Sequence, residues 1–177
     1  MILSYNELLE IVNEGVINPL VENINGASID IRLGSEIKLE SGSSMRIVDI
    51  QEKQALKMTS KIIPEDGYLL YPGECILAHS IEIFNLPDNL SAEYVLKSSM
   101  ARCFLNHMYA GFADPLWHGQ LVLELKNESR FHIMRLHTGM KIGQIKFYKH
   151  KPVPHENSYA VHGRYNGSVG AMESEGV

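Results

Sequence analysis

Turn residues cut this chain into short pieces, and that spacing limits it to folds built from short strands. Asn25-Gly26, Pro72-Gly73, Leu86-Pro87-Asp88-Asn89, Ala113-Asp114-Pro115 and Gly139 each signal a turn. The pieces 28–33, 74–83, 91–96, 121–125, 131–136 and 142–148 read as strands. From Ser28 to Leu33 polar and apolar side chains alternate, as in a half-buried strand. Asp30 and Arg32 then share a face, and a structural ion pair between them is expected. A helix is expected over Tyr5 to Gly15. Ser4 caps it, Glu7 completes a capping box, Leu8, Leu9, Ile11 and Val12 form its apolar face, and Gly15 stops it. Ser41-Gly42-Ser43-Ser44 is a loop, and the stretch from there to Ile63 carries no decisive signal. The pattern predicts a mainly β fold with one helix at the front, and no repeat or composition shift divides residues 1–177 into more than one domain.

Composition narrows the functions. The formal net charge of -5 argues against general nucleic-acid binding, which needs a basic face, but leaves room for a small anion in a local basic pocket. No apolar run is long enough to span a bilayer, and Met1-Ile2-Leu3-Ser4 leads straight into the acidic helical pattern, so a cytoplasmic protein without membrane contact is expected. Cys75 and Cys103 form no CxxC pair and are expected as buried thiols. The eight histidines are scattered, fit no zinc-deaminase spacing and read as surface residues. There is no GxSxG, P-loop or GxGxxG sequence.

Two stretches carry chemistry. Lys97-Ser98-Ser99-Met100-Ala101-Arg102 sets two cations and two hydroxyls within a few residues, all suited to phosphate oxygens. A short helix is expected over Ser98 to Phe104, whose first N–H groups would add to an anion site; a serine-rich cap with no ligand is the plain alternative. The second stretch runs from Tyr109 to Asn127. It holds Leu121-Val122-Leu123-Glu124-Leu125, an apolar strand with one carboxylate. Burying Glu124 as an anion is costly, so its pKa should rise or it should be paired, and an acid so tuned can shuttle protons. Trp117 reads more readily as a packing residue than as a base platform. From Lys151 onward, Pro152 and Pro154 end regular structure, and the Gly- and Ser-rich remainder reads by itself as a mobile tail.

The same residues resemble the dCTP deaminase family of the dUTPase superfamily. Lys97 to Arg102 matches its Gly-Arg-Ser-Ser-x-x-Arg element. Ala110-Gly111-Phe112-Ala113-Asp114-Pro115 and the Glu124 strand match the turn and strand that follow. Ala27 to Gly34 and Gly139 to Gln144 match further motifs, in the family's order. The resemblance implies a distorted β-barrel or jelly-roll-like dUTPase-type fold, with 152–177 as a C-terminal lid. It implies zinc-independent deamination of dCTP. Glu124 would be the proton shuttle, Ser98 and the Ala110 carbonyl would hold the water, and Arg102 would stabilise charge. The Val122 and Leu123 backbone would read the pyrimidine and Asp114 the sugar 3′-hydroxyl. Lys97, Ser99 and Arg164 would take the triphosphate with Mg²⁺, and Tyr159, Arg164 and Tyr165 match lid positions. It also implies deoxycytidine or deoxyuridine nucleotides as ligands, a homotrimer or hexamer with sites between subunits, and an interface position for the Asp30 motif.

Two departures stand out. Lys97 replaces the family's usual arginine and loses its bidentate geometry. Ser168 stands where the family's tail usually has glutamine. Members that also cleave the triphosphate to dUMP and pyrophosphate tend to have glycine after the site alanine, and this chain has Gly111. The resemblance therefore leans to the dUMP-forming type. Deamination to dUTP alone, a plain dUTP pyrophosphatase and a non-catalytic nucleotide-binding relative remain as alternatives.

Overall fold

The computed structural model describes residues 1–108 and 110–175, so Tyr109 and the last two positions of the expected lid lie outside the described residues. Helix α1 spans Tyr5–Asn13. Glu7 Oε2 accepts hydrogen bonds from the Ser4 amide (2.9 Å) and the Ser4 hydroxyl (2.8 Å), which fixes the first turn. Leu8 and Ile11 are buried, and the chain leaves the helix through Gly15 at φ +78°.

The strands are β1 (Ile29–Arg32), β2 (Glu36–Glu40), β3 (Met58–Ile62), β4 (Tyr68–Leu70), β5 (Cys75–Asn85), β6 (Leu90–Leu96), β7 (Leu105–Asn106), β8 (Phe112–Ala113), β9 (His118–Asn127), β10 (Met134–Leu136) and β11 (Lys141–Lys149). A short helix α2 (Ser98–Arg102) follows β6, and another, α3 (Tyr159–His162), lies in the tail. The mainly β expectation holds. The strands fall into three sheets, ordered β1-β11-β6-β8, β3-β2-β5-β9-β7 and β10-β4, with antiparallel ladders throughout. The inward side chains of all three, among them Ile29, Ile31, Ile37, Leu70, Ile76, Leu123, Leu125, Ile145 and Phe147, form one apolar core.

Several expectations need correction. Asp30 and Arg32 do not pair. The β1–β11 register slips between Ile31 and Arg32, and such an irregularity breaks strict alternation. Asp30 bonds instead to Lys97 Nζ (2.6 Å) and Lys141 Nζ (3.3 Å), and Arg32 Nε to Glu82 (2.7 Å). The strand expected over 131–136 begins only at Met134. The buried Asn127 amide and the Ser129 hydroxyl both donate to the His132 carbonyl (2.9 and 2.8 Å), closing the preceding residues into a loop. Cys75 and Cys103 are exposed, because one opens β5 at its end and the other follows the exposed α2. His79 and His107 are buried: His79 caps the β1–β2 turn through Glu36 N–H (3.3 Å), and His107 packs edge-on against Tyr94 (4.6 Å between centroids). Trp117 is a packing residue as expected, against Phe84 at 5.6 Å.

Glu82 is fully buried and accepts from both Arg32 Nε (2.7 Å) and Arg32 N–H (2.9 Å). Removing one partner strands the other where water cannot solvate it freely. Glu82→Ala should therefore lose about 3 kcal/mol of stability in urea unfolding, and Glu82→Gln, which keeps an acceptor, clearly less.

Candidate active site

Strand β9 sorts its side chains by the period of two. Leu121, Leu123 and Leu125 enter the core, and Gln120, Val122 and Glu124 face the other way. That second face is one wall of a cavity of about 760 Å³. Glu124 stands on it directly opposite Leu77 of β5. Its Oε2 is buried and has no hydrogen-bond partner among the described residues. Burial raises the Glu124 pKa, and a hydrogen bond from its own backbone only partly opposes this. The carboxyl expected to be unusual from its apolar surroundings is thus desolvated, with one oxygen that has no partner among the described residues, and its residue lines a cavity.

Among the described residues, no strand pairs beside it with the β9 edge that faces away from β5. Strand β7 pairs with β9 only at Lys126 and Asn127, and the tail bridges it at Gly119. Gln120 N–H points to the tail, so by alternation the Val122 N–H and C=O point to the same edge, between those two contacts. Val122 therefore presents a donor and an acceptor towards the cavity that it lines. The Leu123 side chain is in the core.

The tail closes one side. His118 N–H donates to Asn166 Oδ1 (2.8 Å), Trp117 Nε1 to the Tyr165 carbonyl (3.1 Å) and Gln120 N–H to the Ser168 carbonyl (2.9 Å). A Cβ at Gly119, which has φ +140°, would lie 2.7 Å from the Ser168 carbonyl, so the approach requires glycine. Glu173, which lines the cavity, is held by Lys38 Nζ at 3.0 Å from its Oε1. Tyr159, Tyr165 and Ser168 line it.

The other predicted residues divide into two groups. Ala110 and Asp114 line the cavity with Glu124, and burial raises the Asp114 pKa. Gly111 follows Ala110 under tight packing: a Cβ there would lie 2.5 Å from the Tyr94 carbonyl. Lys97, Ser98, Ser99, Arg102 and Arg164 are not among the lining residues. Ser98, Ser99 and Arg102 sit exposed on or beside α2, and Lys97 is held by Asp30. Burial pushes the Asp30 carboxyl up, but bonds from Lys97 and Asn25 outweigh it and hold its pKa below the usual value. Sequence reasoning missed Leu77, Cys75 and Gln120 in the cavity wall. Strand alternation from Glu124 gives Gln120, whereas Leu77 and Cys75 depend on cross-strand register that no local signal carries.

The electrostatics are one-sided. Glu40, Glu74, Asp114, Glu124 and Glu173 line the cavity, with no lysine or arginine among the described lining residues. Ionising Glu124 here is unfavourable, so the folded state keeps its proton to higher pH than the unfolded chain, whose value is near 4.5. Stability from this group is present below that pH and is lost as pH rises through the folded pKa. Glu124→Gln should therefore melt higher than the parent at pH 8, with the gap closing towards pH 4, as read by thermal melts across pH.

A family model described as dCTP deaminase-like matches residues 2–150. A relative from Nocardia farcinica (strain IFM 10152), named "dCTP deaminase, dUMP-forming", is 36% identical over 164 residues, covering 89% of this chain and 81% of the relative. One of the same name from Nanoarchaeum equitans (strain Kin4-M) is 33% identical over 195 residues, covering 99% of this chain and 97% of the relative. Among solved structures, the 2'-deoxycytidine 5'-triphosphate deaminase from Agrobacterium tumefaciens superposes with a TM-score of 0.66 at 20% identity. It covers 84% of this chain and 48% of its own, so the chain spans about half of that protein's length, and the likeness is one of fold.

Proposed function

The chain belongs to the dCTP deaminase-like family, and we propose that it converts dCTP and two waters into dUMP, pyrophosphate and ammonia. The observation that carries this is the Glu124 carboxyl, desolvated, with one buried oxygen lacking a partner among the described residues, on the wall of a cavity beside a β9 edge that no described strand covers. A cytosine ring set against Val122 would exchange hydrogen bonds with the strand backbone. A water held near the Ala110 carbonyl attacks C4. Glu124 takes a proton from that water and delivers it to ring N3, then carries the proton of the new C4 hydroxyl to the departing amine, so C4 keeps a carbonyl and the amino group leaves as ammonia. Its raised pKa suits both directions of transfer. Asp114 takes the sugar 3′-hydroxyl, and the segment 152–177 acts as a lid, with Tyr159, Arg164 and Tyr165 over the nucleotide.

The lack of cations in the described lining supports a shared site. A triphosphate would meet five acids among the described lining residues, and Lys38, which pairs with one of them, is already held by Glu173. We place Lys97, Ser98, Ser99 and Arg102 of a neighbouring copy over it, in a homotrimer or hexamer, with Ser98 holding the attacking water and Arg102 stabilising the developing charge. Mg²⁺ enters with the triphosphate as part of the substrate. Gly111, whose packing against the Tyr94 carbonyl leaves no room for a side chain, fits the dUMP-forming type. The reading also places the enzyme in the cytoplasm with its nucleotide substrates.

Incubation with dCTP and with dUTP in the presence of Mg²⁺ tests the reading. The expected products from dCTP are ammonia, dUMP and pyrophosphate. Accumulating dUTP would make it a deaminase only, turnover of dUTP alone a pyrophosphatase, and no turnover of either would overturn an enzymatic function. Glu124→Gln should lower deamination by about 10³-fold while nucleotide binding persists. A shared site makes a further prediction: Glu124→Gln and Arg102→Ala, each inactive alone, should regain activity when their subunits are mixed and allowed to reassemble. No recovery in confirmed mixed oligomers would place both groups in one chain's site.

A further inference from the structure

We propose that Gln120 is a positioning residue: its side chain clasps the C-terminal segment to β9 and so sets how tightly the enzyme holds its nucleotide. This rests on the reading of that segment as a lid. Four hydrogen bonds converge on this one residue. Its main chain takes two, from N–H to the Ser168 carbonyl (2.9 Å) and to its C=O from the Ser168 hydroxyl (3.2 Å). Its side chain makes the others: Gly170 N–H donates to Oε1 (2.9 Å), and Nε2 donates to the Ile81 carbonyl (3.3 Å). The amide orientation follows from its partners, because an N–H needs the oxygen and a carbonyl needs the nitrogen.

Ile81 lies in the stretch where β5 slips register against β9, between His79 and Ile83. Gln120 thus joins three segments at one point: the irregular part of β5, β9 itself and the tail. It also lines the cavity two positions from Val122 and four from Glu124 on the same face. The glutamine that secures the crossing belongs to the strand underneath the tail. Only an amide satisfies both partners: a methionine of similar size offers neither bond, and a glutamate keeps the acceptor for Gly170 while opposing the Ile81 carbonyl.

A lid that is docked only part of the time weakens apparent affinity by the docked fraction, and saturating substrate restores the closed form. Gln120→Met should therefore raise KM for dCTP about tenfold, the scale set by losing two neutral hydrogen bonds, with kcat within about twofold of the parent. Amide hydrogen exchange of residues 165–171 should quicken in the same variant, and Gln120→Glu should fall between it and the parent in both measurements. Unchanged exchange would overturn the clasp. Faster exchange with an unchanged KM, or a loss confined to kcat, would overturn its role in holding nucleotide. Should Gln120→Met not fold, Gln120→Glu carries the same two readouts. If the parent does not turn over dCTP, the functional reading falls, and exchange alone then decides whether Gln120 holds the tail.

Discussion

Strands β5 and β9 pair along most of their length, from Cys75 opposite Lys126 to Asn85 opposite His118. That ladder fixes the register of β9, and register decides which of its residues see the core. Leu121, Leu123 and Leu125 are buried there, so Gln120, Val122 and Glu124 must face outward together. A slip of one residue would put the carboxylate into the apolar core and a leucine into the cavity. Placement of the acid, the open backbone edge and the tail's docking strip all derive from this one pairing.

The same ladder explains why the acid is costly. Glu124 stands opposite Leu77 on a face covered by the tail, and no cation reaches it among the described lining residues. Its charged form is penalised by lost hydration rather than balanced by a partner. Where the fold needs only a stable ion pair it provides one, as at Glu82 with Arg32 or Asp30 with Lys97. The contrast separates structural acids, which are paired, from the acid proposed to move protons.

The tail shows how far local signals reach. Its glycines, serines and prolines describe a segment without regular structure, and it forms only short helical turns. They do not indicate its contacts, which are made by Trp117 just before a distant strand and by His118, Gly119 and Gln120 within it. His107 and His79 make the same point. For each, the enclosing partner comes from another strand, Glu36 at His79 and Tyr94 at His107.

The sequence alone determined what depends on near neighbours. The capped first helix, most strand positions and the isolation of one acid among leucines all follow from spacing along a few residues. The motif order added the family, because those motifs can be matched without knowing where they meet. Tertiary structure alone decided which groups share a space. It set Glu124, Ala110, Asp114 and Tyr165 around one cavity, left Ser98 and Arg102 outside its described lining, and gave Asp30 and Arg32 separate partners. The physical reason is that cross-strand register and chain crossings are settled by packing the whole core at once, and no short stretch of residues contains that information.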